Sequence, residues 1–433
     1  MESPNFSETQ SNFFEHFPKE LLGLNELESK IIDEIEKRLA KAYSGENKIE
    51  YPFHNIEHSV RVTILANHIL NTIIETAPDF VTESDKKAVK IAPAGHDLII
   101  ETTSNTATGQ LFRFRGFNAE ELEKVMKSPF SPYKDMDPEL IKKIAKEKGG
   151  NEGKSAKEVL EIVNEFDTEG YYDQESLDKI KESIWATYPA VDPFAKIPEN
   201  SLEDVVDHVP ELQNGEIKRF LNPDGSALRF FQPTLLDKNG KYTNTSLAAL
   251  SLAWSDLIYL GAIRPKDDPE RQANPLIGNL PTYAEIGSAE FMETRQRSGY
   301  KIQSGDIGID KIEIGELKGI VKDMIKWLRD QVQFGLWQKA NLDLIFSQNK
   351  FLNPEGKEDE SKKVKETLMK EVFPNFYANI KSAVERYNRF VSTNAKDLNE
   401  ANMWVDQMRD NDLREFAKKL ADDFGYEVRP DLK

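Results

Sequence analysis

Residues 51–75 read YPFHNIEHSVRVTILANHILNTIIE, and this stretch decides what kind of fold to expect. From Glu57 to Glu75 it carries Val60, Val62, Ile64, Leu65, Ile69, Leu70, Ile73 and Ile74, too apolar for a helix lying on a surface. A helix of that composition belongs inside a bundle. Two imidazoles stand at its start. His54 and His58 are related as i and i+4, so both would lie on one face if the helix began early enough.

Outward from this segment, helical periodicity dominates. Leu21–Tyr43 is amphipathic, with Leu24, Leu27, Ile31, Ile32, Ile35 and Leu39 on one side. Asp85–Asp97 follows, where Pro93 should bend or limit the last turn. Shorter helical stretches are expected over Leu140–Lys148, Ser155–Phe166 and Leu177–Thr187, and longer ones over Thr245–Leu260 and Ile314–Asn349. The end of the chain reads as charged helices around Lys362–Glu371, Phe376–Val391 and Asn399–Phe424. Gly109–Asn118 and Arg264–Gly308 are rich in Gly, Pro and charge without clear periodicity, and the second has the length of a lid or binding loop. Leu228–Leu236 and Lys241–Asn244 flank Asp237-Lys-Asn-Gly240, a hairpin-type turn. The expected fold is therefore mainly α with one small β-hairpin.

Composition bounds the function. With 433 residues, 39% hydrophobic and 30% charged, the chain is an ordinary globular protein, of two or three units or one large helical domain. A net charge of −18 repels an extended phosphate backbone, so a nucleic-acid polymer is disfavoured as partner. A small phosphate ester is still admissible, because a bound metal inverts the local sign. Cysteine is absent, which removes disulfides, thiolate zinc sites and cysteine nucleophiles. The first 20 residues have no basic start and no apolar run. Thr245–Ile263 is long enough to span a bilayer, but Asp256 inside it would cost roughly 2.5–3.5 kcal/mol there. The expectation is a cytoplasmic protein without a membrane partner.

Three places carry chemistry. His58 heads the apolar helix, Gly95-His96-Asp97 ends the next one, and Asp256 lies inside a third. An adjacent imidazole and carboxylate suit a divalent cation that accepts mixed nitrogen and oxygen ligands. An ionised Asp in an apolar helix needs a partner, and a metal is the strongest one. A single helical histidine is more often a hydrogen-bonded core residue, and a His-Asp pair arises by chance. The ordered set of all three is much rarer. Of the other histidines, His68 is expected to pack, His16 to lie in the N-terminal leader and His208 in a loop before Pro210. Arg113 and Arg115 are expected to be solvated, and Trp254 to be a core aromatic.

The ordered set resembles the HD/PDEase superfamily of metal-dependent phosphohydrolases, in particular the helical catalytic domain of class I cyclic-nucleotide phosphodiesterases and their bacterial relatives. The likeness spans roughly residues 45–345. It implies an HD/PDEase-like helical bundle in which His58, His96, Asp97 and Asp256 hold the tighter metal ion, zinc. Asp97 would bridge to a second ion, Mg2+ or Mn2+. His54 matches the acid that protonates the leaving oxygen, and Asn55 stands beside it. Glu152 matches an acidic residue behind the metal ligands, and Gln331 and Phe334 match the base-contacting glutamine and stacking aromatic. Departures are Ile100, where the family has a further histidine, and Tyr188, where an Ala-Thr-Asp segment would end.

The resemblance implies hydrolysis of a cyclic nucleotide or similar small phosphodiester. Its alternatives are hydrolysis of nucleoside mono- or triphosphates, and a metal-containing nucleotide-binding protein without turnover. The corresponding organisation is a mobile leader over 1–18 and a catalytic domain over 19–350, with insertions at about 100–150, 190–245 and 264–308. A helical extension over 351–433 would follow, serving packing or homo-oligomerisation.

Overall fold

The computed structural model describes residues 16–43, 55–99, 151–188, 190–237, 239–257, 259–266, 268–269, 281–297, 309–391 and 395–425. Thirteen α-helices and a two-stranded sheet make up the regular structure among them. Five helices come first: α1 (Glu26–Tyr43), α2 (Ile56–Thr76), α3 (Glu83–Gly95), α4 (Asn151–Phe166) and α5 (Gln174–Trp185). Most start on a side-chain cap, which satisfies amide groups that have no partner within the helix. Asn55 caps α2, Asp173 caps α5, and Thr82 with Asp85 forms a capping box on α3. Then follow β1 (Ala190–Ala195), α6 (Glu199–His208), β2 (Ala227–Phe231) and α7 (Leu247–Leu257).

The second half is α8 (Tyr283–Arg297), α9 (Ile314–Gln348), α10 (Glu358–Thr367), a π-turn (Leu368–Val372), α11 (Phe376–Phe390), α12 (Leu398–Gln407) and α13 (Asp410–Asp423). The fold is mainly α, as the periodicity requires. In the N-terminal half α7 packs on α2, α3 and α5, and α4 packs on α1 and α5. The 35 residues of α9, about 50 Å of helix, form the axis of the other half and contact β2, α6, α11, α12 and α13. The two halves share one continuous apolar cluster reaching from Phe17 to Phe424, and α10 and the π-turn return to pack on α2. Among the described residues no helix is long and apolar enough to cross a membrane. The segment containing Asp256 is the short buried helix α7.

The structure departs from the sequence expectation in several places. The turn at Asp237–Gly240 forms, with Gly240 at φ +72° and the Asp237 amide donating to the Lys241 carbonyl at 2.8 Å, but it does not join a hairpin. β2 pairs instead with β1, antiparallel, with Ala190 opposite Phe231 and Asp192 opposite Arg229. The register shifts between Asp192 and Ala195, around Pro193, whose missing N–H interrupts a ladder. On the far arm of the turn the Tyr242 amide donates to the Gln348 side chain and the Thr243 carbonyl accepts from Lys350, so its backbone is paired with the end of α9. The aperiodic stretch Arg264–Gly308 contains α8, and the region 190–245 contains α6. His68 is exposed, and His208 ends α6 with its ring stacked on Tyr377 at 4.3 Å. His16 pairs with Glu36, and Phe17 is buried. The stretches Leu140–Lys148 and Gly109–Asn118, with Arg113 and Arg115, lie outside the described residues.

Candidate metal centre

His58 sits in the first turn of α2, where the Asn55 side chain accepts its backbone N–H at 2.9 Å. Asn55 is thus the helix cap, and α2 begins at Ile56. The i, i+4 relation expected for His54 and His58 depended on an earlier helix start than this one. His54 itself lies outside the described residues.

His96 and Asp97 follow directly on α3. Pro93 does not end this helix early; the helix continues to Gly95. A proline cannot donate to the carbonyl four residues back. The Asn67 side chain of α2 takes over that acceptor, its Nδ2 donating to the Val89 carbonyl at 3.2 Å. The Pro93 carbonyl in turn accepts from His96 Nδ1 at 2.7 Å. Gly95 lies so close to α4 that a Cβ there would stand 2.3 Å from Val159 Cγ2. Beyond Asp97, the Ile99 amide donates to Ser155 Oγ of α4 at 2.9 Å. Glu152 stands one turn before Ser155 on that helix. Asp256 is the penultimate residue of α7.

These elements bring four side chains together. His58 Nε2 lies 3.4 Å from Asp97 Oδ2 and 3.4 Å from Asp256 Oδ1. His96 Nε2 lies 3.1 Å from Asp97 Oδ2 and 3.7 Å from Asp256 Oδ1. The two imidazole centroids are 5.3 Å apart. The His96 side chain is 1% exposed and that of Asp97 18%, so the cluster opens to solvent on the Asp97 side.

The arrangement has a definite electrostatic character. With Nδ1 engaged by the Pro93 carbonyl, His96 turns Nε2 toward two carboxylates, the ring nitrogen that is left for a metal ion. His96 Nε2 is buried and makes no hydrogen bond. Burial disfavours an imidazolium at His96, but the Asp97 and Asp256 carboxylates outweigh it and raise its pKa well above the ordinary value. Burial likewise pushes the Asp256 carboxyl up, and the facing imidazoles of His58 and His96 more than reverse this, leaving it lowered. The group could hold a cation. Two nitrogens and two carboxylate oxygens are a donor set that zinc takes, and the orphaned Nε2 of His96 fits such an ion.

The other expected site residues take different places. Gln331 is buried in α9, its Oε1 accepting from Arg386 Nη1 at 3.2 Å and its carbonyl from the Tyr283 hydroxyl at 2.8 Å. Its Nε2 occupies the space a Cβ at Gly287 would need. Phe334 meets Phe230 of β2 edge-on at 5.1 Å. Gln331 faces α8 and α11, and Phe334 faces the sheet. Residues that sequence reading passed over are Asn67, Ser155 and Asp85. Only Asp85 announced itself locally, in the capping-box pattern Thr82-Glu-Ser-Asp85.

Compared with protein-family models, curated proteins and solved structures, the chain matches none.

Proposed function

We propose that this chain is a metal-dependent phosphoric ester hydrolase of the HD/PDEase kind, acting on a cyclic nucleotide or similar small phosphodiester. The observation that supports the reading most is the convergence of His58, His96, Asp97 and Asp256 from three separate helices, with each imidazole Nε2 within 3.1–3.7 Å of an oxygen of both carboxylates. In this reading the four hold a zinc ion. Asp97, the most exposed of them, would also help hold a second ion, Mg2+ or Mn2+. Bound there, two such ions acidify a water molecule and offset the charge of the phosphoryl oxygens.

The protein's own part is then to orient, to exclude water and to supply a proton. Pro93 and Asn55 fix the orientation of His96 and the start of α2. The apolar helices around Asp256 keep solvent from the inner side. His54, directly before the cap, is the acid that donates to the departing alkoxide, which requires it to come within about 3 Å of that oxygen. An acidic protein is not thereby excluded from anionic substrates, since the ions reverse the sign locally.

The test combines elemental analysis of the purified protein with a turnover screen. The screen covers 3′,5′-cyclic nucleotides, bis-p-nitrophenyl phosphate and nucleoside mono- and triphosphates in Mn2+ or Mg2+. The expected result is bound metal with diester cleavage, lost with the metal in Asp97→Ala. In His54→Ala the metal should stay and turnover fall. Cleavage of mono- or triphosphates alone would change the substrate class, metal without turnover would leave a binding protein, and absence of metal uptake would overturn the reading.

A further inference from the structure

We propose that Asp85 is a positioning residue that sets where Asp256 stands relative to His96; the inference rests on the metal-centre reading above. Asp85 lies at the opposite end of the helices that carry the ligands. Its carboxylate is 3% exposed and holds two helix starts at once. Oδ2 accepts from the Thr82 amide at 3.1 Å and the Thr82 hydroxyl at 2.6 Å, closing the cap of α3. Oδ1 accepts from the amide of Ala248, second residue of α7, at 3.3 Å. That N–H has no acceptor within its own helix. Lys179 of α5 lies 2.9 Å from Asp85 Oδ2 and donates to the Thr82 hydroxyl. Glu182, one turn further along α5, accepts the Ser246 amide at 3.3 Å.

The two helices thus touch at both ends. At their starts Asp85 meets Ala248, and at their finish His96 Nε2 lies 3.7 Å from Asp256 Oδ1. They run parallel, side by side. A shift of one residue along a helix axis is about 1.5 Å, whereas metal–ligand distances are held to about 0.2 Å. The apolar side chains of α7 pack on all sides and resist tilting, but greasy packing specifies axial position poorly. The directional bond from Asp85 does specify it. Asp85 touches no metal ligand and acts through the length of α3 and α7.

The test titrates Co2+ into metal-stripped protein and follows both affinity and the visible absorption of the bound ion. Asp397→Ala serves as the control. It removes a cap of the same kind, Asp397 Oδ1 to the Glu400 amide at 2.9 Å, from α12, which packs on α9. We expect Asp85→Ala to bind Co2+ roughly 2- to 30-fold more weakly with a changed absorption band. Asp397→Ala should lose comparable thermal stability and keep the affinity and spectrum of the wild type. Asp85→Asn keeps one acceptor for Ala248 and loses the ion pair with Lys179, so it should fall between. If Asp85→Ala does not fold, Asp85→Asn carries the comparison. Wild-type affinity and spectrum in the Asp85 variants, or equal weakening in Asp397→Ala, would overturn the inference while leaving the metal centre intact. A wild-type protein that takes up no Co2+ would remove the metal reading and this inference with it.

Discussion

Arg386 and His96 are both almost fully buried, at 4% and 1% exposure, and the chain treats them in opposite ways. Around Arg386 every direction is answered. Its Nε donates to Asp423 Oδ2 at 2.6 Å, its Nη1 to the Ala284 carbonyl and Gln331 Oε1, and its Nη2 to Ser288 Oγ and the Asp423 carbonyl. The Phe424 ring covers it at 4.7 Å. That network closes on itself and ties α8, α9, α11 and α13 together. Around His96 the carboxylates gather without closing a network: two of them face Nε2, and it makes no hydrogen bond. A satisfied buried network specifies packing, whereas an incomplete one costs stability unless something else completes it. The closed cluster serves architecture; the incomplete one is the one proposed above to hold a metal ion.

The contrast can be broken most forcefully at its closed end. Arg386→Ala strips Asp423 Oδ2 and Gln331 Oε1 of their buried cation, leaving Asp423 only the exposed Arg389, and should cost about 3–5 kcal/mol, read by urea denaturation. Bound metal per folded chain should be unchanged; loss of metal as well would mean the two clusters are one unit. At the open end, zinc at one hundred times its dissociation constant should stabilise the folded protein by about 2.7 kcal/mol. His96→Ala should abolish that gain in a thermal melt. A melt indifferent to zinc would show that the incomplete cluster takes no zinc.

Gly95→Ala tests the approach of α4 to the His-Asp corner. Its methyl would meet the buried Val159 at 2.3 Å, for a cost of roughly 1–3 kcal/mol. Metal affinity should fall with stability, because His96 and Asp97 follow directly. The smallest effect is expected for Asn67→Ala. It strands the Val89 carbonyl above Pro93 and should cost about 1 kcal/mol, with faster amide exchange confined to the end of α3.

Much of the helical layout was legible. The expectation Glu57–Glu75 became Ile56–Thr76, and Ile314–Asn349 became Ile314–Gln348, because long apolar periodicity is a strong local signal. The helix α8 was missed for a physical reason. Its inward face mixes the buried Tyr283, Ile286 and Phe291 with Ala284, Gly287 and Ser288, which meet Arg386 and Gln331, so the apolar stripe is broken. Its start was written in Thr282-Tyr-Ala-Glu285, where the Thr282 amide donates to Glu285 Oε2 at 2.6 Å. The hairpin expectation failed because turn chemistry is local and strand pairing is not. Asp237–Gly240 turns as its residues demand, and the strand before it found β1.

The residue types of the candidate site were readable for the same reason as the helices: imidazole and carboxylate chemistry, and a chain without thiols, belong to the residues one at a time. Their meeting was not readable in that way. The helices that carry His58, His96 and Asp256 are tied together by Asn67 on Val89, Ser155 on Ile99 and Asp85 on Ala248, pairs remote in the chain that touch only after the helices pack. Folding alone decided that His96 would turn its Nε2 to two carboxylates while Gln331 was drawn to Arg386. A hydrogen bond between distant segments leaves no periodic trace in either of them.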